Sequence, residues 1–598
     1  MVNNKALGTE TILWDLAALY PSLESPAIER DIAACLNMAA EIAGEYRGQV
    51  AQLDPAVLHR LVERLELLDT LLARLATFAF LAFITQTGEA QPSALLQKIE
   101  EIEAQTGRLT VFFRLEWNLA GEALAQKFLQ EPVLEHYAHY LQTLRQYAPH
   151  QLSTKEEELL QELRPVGRNA WNLLFEKVLG QMRFGARQRT EEEVLADLHH
   201  QDRAVRRLGA DELTTGLREN LHVFTHVFNT LAAEKAIDDR LRRYPAWDSA
   251  INLANELRAA TVDALVSAVT SRFDLVQRYY GLKRELLRYQ DLYDYDRYAP
   301  VPGAPNALIP WDQAQEMVLA SFAAFSPEMA AIAGRFFHEH WIHAPVMAGK
   351  RGGAFAHPCV PEAHPYILVN YTGTMRDVSD LAHELGHGVH QVLAAGQGLY
   401  SSDTPLVLAE TASVFAELLV FKAQLQLMAP SARLAFLCQK LEGIIATVFR
   451  QVAMNRFEAG VHTARRSQGE LSAGQLCELW LRTQRAMFGD AVVLREDYGL
   501  WWAYISHFLA TPGYVYAYAF GELLVLALYA RYLDEGSPFI DRYLNLLRAG
   551  GSQSPYAALE PFAIDLDQPS FWRGGLKLIE TMIDEAFSMH RESRPGQT

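Results

Sequence analysis

Residues 380–390 read DLAHELGHGVH, which places His383, Glu384 and His387 in the order His-Glu-x-x-His. On a helix, positions i and i+4 project from one face a turn apart, so the two imidazoles can share one Zn²⁺ at about 2.0–2.1 Å. Glu384 lies beside them without being a ligand, close enough to take a proton from a water that the ion activates. The chemistry would be metal-assisted hydrolysis. The pattern is loose by itself, and the bland alternative is a helix face that happens to carry two histidines. A third ligand decides between them, and it comes 23 residues after His387, where DTPLVLAETASVFAELLVF offers Glu410. Two histidines and a glutamate with an open fourth position make a catalytic zinc arrangement, whereas a structural site is closed by four protein ligands. Ser413 and Glu417 share the face of Glu410 as outer hydrogen-bond partners, with a plain surface charge the alternative for Glu417.

These residues need elements that hold them in place. Thr374 with Asp377 caps a helix running to Ala395, and Gly396 and Gly398 end it. Thr404 as N-cap and Pro405 at the first helical position open the next, strongly periodic helix. A short turn over 396–404 makes the two antiparallel and, at 1.5 Å per residue, brings Glu410 near the level of the histidines. Further on, LWWAYISHFLA and YAYAFGELLVLALYARYL read as helical, broken by Thr511-Pro512-Gly513. His507, Tyr514 and Tyr518 flank that hinge. Imidazole and phenol are good donors to an oxyanion, although a tyrosine between helices is more often a packing residue.

The remaining chain supports this part. Residues 55–81 and 95–120 carry apolar side chains at helical spacing, and Ser153 with Glu156 forms a capping box that opens a new helix. The stretch 298–312 reads as a Pro- and Gly-rich loop, and 349–371, GKRGGAFAHPCVPEAHPYILVNY, is the place for a small sheet. The expected division is an N-terminal helical region (1–150), a helical lobe (151–300), a catalytic region (301–590) and a disordered tail (591–598). His338, His340, His357 and His364 read as structural or surface residues, although His357 could also touch substrate. Lys350 and Arg351 read as an ordinary solvated pair, with contact to a peptide carboxylate the alternative.

With 598 residues, half of them hydrophobic, a sizeable core is readily buried. No run approaches 18 uninterrupted apolar residues, and the N-terminus lacks a basic stretch followed by an apolar one, so neither a membrane span nor secretion is expected and the chain is read as cytoplasmic. The net charge of −18 is dispersed and basic clusters are short, which argues against a nucleic-acid partner. Cys35, Cys359, Cys438 and Cys477 never form a C-x-x-C pair and read as reduced packing residues.

Five motifs in order, ILWDLAALYPSLESP, GKRGGAF followed by PYILVNY, LAHELGHGVH, AETAS and HFLATPGYVYAYAFG, resemble the oligoendopeptidase F type of the thimet oligopeptidase family of zinc metallopeptidases, over nearly the whole chain. The resemblance implies a mainly α, zincin-like helical body of two lobes around a deep channel, with the small sheet near the active site. It implies cleavage of short oligopeptides, with one Zn²⁺ per chain held by His383, His387 and Glu410 and with Glu384 as general base. His507 and a tyrosine of GYVYAY would stabilise the oxyanion; Tyr514 and Tyr518 both qualify, with Tyr518 favoured. Two rivals stand beside it. A zinc carboxypeptidase on a related helical scaffold would need a fixed cation for the free C-terminus, and a non-catalytic peptide-binding protein would need no general base.

Overall fold

Asp54 accepts the N–H groups of Ala56 and Val57, and Pro55 takes the first helical position, so helix Pro55–Ile84 starts where the periodicity places it. The computed structural model describes residues 3–303 and 307–592; residues 304–306 of the expected loop and 593–598 of the expected tail lie outside them. Among the described residues helices make up 72% and three short strands form a small sheet, which is the mainly α fold expected. The chain divides into two compact units of three stretches each: Met1–Gln151, Asn306–Gln426 and Arg531–Ile564 in the first, and Leu152–Pro305, Leu427–Ala530 and Asp565–Thr598 in the second.

In the first unit, helices Pro26–Tyr46, Pro55–Ile84 and Ala90–Thr110 pack together around one apolar cluster. Helix Pro55–Ile84 is long and apolar enough to cross a membrane, but it spends its stripe on this core: Leu58, Leu61, Val62, Leu68 and Leu75 are almost completely buried. Each such side chain contributes about 1.5–3 kcal/mol relative to exposure. The helix expected over 95–120 arrives as two, Ala90–Thr110 and Phe112–Leu119, separated at Val111.

The sheet has the order β1 (Ile342–His343), β3 (Tyr366–Leu368), β2 (Phe355–His357). β1 runs parallel to β3 and β2 antiparallel to it, with Ala356 opposite Ile367. β2 and β3 fall inside the expected stretch, whereas β1 lies upstream of it, too short at two residues to show any alternation. Of the expected solvated pair, Arg351 is exposed but Lys350 is not free in solvent. The Lys350 ammonium donates to the carbonyls of His343 (3.1 Å), Pro345 (2.8 Å) and Val369 (2.7 Å), bracketing the sheet from its end, and burial pushes its pKa down to about 7. Arg351 lies over the rings of Phe80 and Phe355.

The second unit is built along the 39-residue helix Arg203–Leu241, whose Phe224, Val227 and Phe228 share a core with Phe457, Trp480, Trp502 and Phe508. The helix expected through LWWAYIS is absent: a 3-10 turn spans Glu496–Leu500 and Trp501–Tyr504 form turns. Tyr498, Trp501 and Trp502 are all fully buried and the Trp501 indole donates to Thr214 Oγ1 at 3.0 Å. Both tryptophan rings join the core of this unit, and that tertiary packing overrides local propensity here. All four cysteines are free thiols; Cys35, Cys359 and Cys438 are buried and Cys477 half-buried.

Candidate metal centre

The helix carrying the two histidines spans Met375–Ala394. Its start is fixed as the sequence indicates, because Thr374 Oγ1 accepts the Asp377 N–H while Asp377 Oδ2 takes the N–H of Thr374 (2.9 Å) and both the N–H (2.9 Å) and the hydroxyl (2.6 Å) of Thr372. A 3-10 turn, Ala395–Gln397, and Gly398 at φ 78° end it. The helix carrying Glu410 spans Leu406–Leu427. Its periodicity does not mark one buried face: Val407, Leu408, Thr411, Ala412, Val414, Phe415, Ala416, Leu418 and Leu419 surround the axis and are all buried.

The two helices cross antiparallel at Gly386. A Cβ on Gly386 would stand 2.6 Å from both the Ala412 carbonyl oxygen and Ser413 Cα, inside any real contact distance. Only glycine permits this approach, and the approach puts the residues on either side of it, His383 and His387, against Glu410. From His383 Nε2 to Glu410 Oε2 is 3.3 Å, from His387 Nε2 to the same oxygen 3.6 Å, and the imidazole planes stand at 82°. One ligand atom from each of the three residues lies within 4.8 Å of the others. A tetrahedral ion with bonds of about 2.0–2.1 Å separates its ligand atoms by roughly 3.3–3.4 Å, so this donor set fits one zinc-sized ion.

The surrounding groups fix the ligands. The Ser413 hydroxyl donates to Glu410 Oε2 at 2.7 Å. The outer nitrogen of His383 faces Glu417 Oε2 at 3.7 Å, and the His387 ring hydrogen-bonds the backbone of Ala409. Tyr543, fully buried, donates to the carbonyl of Thr411, next to the glutamate. Burial works against a charge on His383, but Glu417 and Glu410 outweigh it and push its pKa up to about 9; His387, where burial prevails, falls to about 4.

Glu384 is 7% exposed, and burial raises its carboxyl to about 7 against the pull of His383. It accepts a backbone hydrogen bond from Ala356 in β2, an edge strand of the sheet. Ala356, Tyr543 and the Gly386 crossing escape sequence reasoning. Of these only the glycine left a signal, a small residue midway between two candidate ligands.

His507, Tyr514 and Tyr518 belong to the second unit and form a cluster of their own. The rings of His507 and Tyr514 are parallel (1°) with centroids 5.7 Å apart, and the hydroxyls of Tyr514 and Tyr518 lie 2.7 Å apart in one hydrogen bond. Burial, helped by that bond, holds the Tyr514 hydroxyl protonated far above the usual phenol range, and burial lowers the His507 pKa. His357, half-buried, accepts the Cys359 N–H on Nδ1, and His364 stacks on Trp341 at 4.1 Å.

Residues 198–578 match the family model described as Peptidase family M3, and residues 116–184 the one described as Oligopeptidase F. Among relatives, "Oligopeptidase PepF" of Bacillus subtilis is 26% identical over 96% of this chain and 86% of its own length, and "Group B oligopeptidase PepB" of Streptococcus agalactiae is 24% identical over 98% of each. Among solved structures, a Chlamydophila abortus protein superposes with a TM-score of 0.86 at 22% identity over 98% of this chain and 100% of that one. Oligoendopeptidase-F from Enterococcus faecium gives 0.73 at 21% identity over 95% and 99%. The site and these matches together define a metallopeptidase. The chain belongs to Peptidase family M3.

Proposed function

We propose that this metallopeptidase is a zinc-dependent endopeptidase that cuts internal bonds of short oligopeptides, with one Zn²⁺ per chain held by His383, His387 and Glu410. The observation that carries this reading is the convergence of those three ligand atoms within 4.8 Å beside a buried, non-ligating Glu384. A bound zinc ion supplies Lewis acidity toward the scissile carbonyl and the attacking water. Glu384, with a carboxyl whose pKa lies near neutrality, takes the water proton and returns it to the leaving amine. Ser413 and Glu417 hold Glu410 and His383 in orientation. His507 and Tyr518 donate to the oxyanion. The Tyr514–Tyr518 pair leaves one hydroxyl proton free after making its mutual bond, and Tyr518 is favoured as its bearer, with Tyr514 positioning the peptide. The outer edge of β2 adds the substrate backbone as a further strand, which accounts for tolerance of side-chain sequence.

Oligopeptides are proposed as substrates because the relatives are named oligopeptidases. The test is digestion of a pool of peptides of about a dozen residues, free or blocked at both ends, read by mass spectrometry before and after chelation and zinc readdition. Internal cleavage of blocked peptides, lost with the metal and restored by it, is expected. A requirement for a free C-terminus would convert the reading to a carboxypeptidase.

A further inference from the structure

Glu458 takes no part in the chemistry above, yet it is a carboxyl only 2% exposed on helix Gln451–Gln468, and its Oε2 has no hydrogen-bond partner among the described residues. Burying such a group is costly unless something is gained from it. Its Oε1 accepts the N–H of Gly513 at 2.6 Å. Gly513 has φ 88°, and a Cβ there would stand 2.9 Å from Ile251 Cγ2 and 3.4 Å from Trp247 Cζ3. The Trp247 ring in turn stacks on His462 (centroids 5.0 Å apart, 15°), one turn beyond Glu458, and His462 Nε2 lies 3.8 Å from Glu458 Oε1. The hinge glycine therefore has Ile251 and Trp247 where a side chain would stand and Glu458 on its amide, and Glu458 also lines a small cavity with Phe457, Phe508 and Pro512. Gly513 immediately precedes Tyr514, whose ring is parallel to that of His507.

We infer that Glu458 is a positioning residue: through the Gly513 amide it clamps the Thr511–Gly513 turn and so keeps His507 and Tyr514, with the Tyr518 hydroxyl bonded to it, aligned as donors. The catalytic half of this inference rests on the donor roles proposed above; the clamp itself does not. A side chain one methylene shorter withdraws the acceptor by about 1.5 Å, whereas an amide keeps an oxygen in place without the charge. Geometry and charge can thus be separated by Glu458→Asp and Glu458→Gln.

The experiment measures amide hydrogen exchange over 511–516 in the full-length chain, together with metal content, kcat and KM on a fluorogenic peptide. In Glu458→Asp, exchange over 511–516 should rise at least about tenfold and kcat should fall about 10–100-fold, with KM within threefold and zinc unchanged, since a misplacement of about 1 Å costs up to 10²-fold. Glu458→Gln should stay within threefold of wild type in both readouts. Wild-type exchange in Glu458→Asp, or a Gln variant that falls as far as the Asp variant, overturns the clamp. Faster exchange with unaltered kcat overturns the positioning role, provided His507→Ala costs activity. A fully active His507→Ala instead removes the donor reading, and the exchange data then judge the clamp alone.

Discussion

His383, His387 and Glu410 hang from two long helices that touch through their backbones at Gly386, whereas His507 and Tyr514 flank a turn whose glycine has φ 88° and whose amide is held by one buried carboxyl. The first arrangement distributes its precision over a whole helix interface. The second concentrates it in a few atoms. A group that must hold an ion at fixed bond lengths needs the former; donors that act on a charge present only in the transition state tolerate, and in a hinge can exploit, the latter. The two clusters should therefore fail differently when altered, one through metal content and the other through turnover.

The sharpest contrast is expected for Glu410→Ala. Metal analysis after dialysis should show affinity lowered by more than the about 100-fold typical of an outer partner, with peptidase activity lost in parallel. Glu384→Gln should separate the two properties within the first cluster: stoichiometric zinc is retained while hydrolysis of a fluorogenic peptide falls by about 10²–10⁴-fold. In the second cluster, Tyr518→Phe should lower kcat about 10²–10³-fold with little change in KM and none in zinc, and Tyr514→Phe should do less. If Tyr514→Phe is the more damaging, the donor is Tyr514 and the assignment within the pair reverses. Glu417→Ala should weaken zinc binding by about 10–100-fold. Gly386→Ala should be the mildest, costing about 1–3 kcal/mol of stability in denaturant titration as the crossing is forced apart, with a modest loss of zinc. A Gly386→Ala enzyme as stable as wild type would show that the ligands do not depend on that crossing.

What the sequence discloses follows the same division. The capping box at Thr374, the spacing of His383 and His387, and Glu410 on the next helix are local patterns, and each appears in the structure where expected. The mainly helical class and the small sheet are legible for the same reason, since periodicity and the Gly- and Pro-rich texture of 349–371 are properties of neighbours in the chain. Tertiary facts were not legible. β1 gains its strand geometry only from pairing with β3, Trp501 and Trp502 abandon the helix because the core takes both rings, and Lys350 leaves solvent for three carbonyls brought together by the sheet. The Ala356 hydrogen bond to Glu384 joins positions that no motif links. Glu417 was evenly balanced between a surface charge and an outer partner, and only the fold sets its carboxylate against His383.

The four thiols carry a consequence for how the chain meets metal ions and oxidants. Burial pushes Cys35 and Cys438 up to about 12 and Cys359 up to about 11, and it raises Cys477 as well. Because only the thiolate binds a soft cation or attacks a peroxide, the fraction of the first three in reactive form at neutral pH is about 10⁻⁴ or less. These three soft donors, which would otherwise compete for the same ion, stay protonated in the folded core and become fully available on unfolding. Folding thus protects the ion's destination twice, by assembling the nitrogen and oxygen ligands and by withdrawing the sulfur ones.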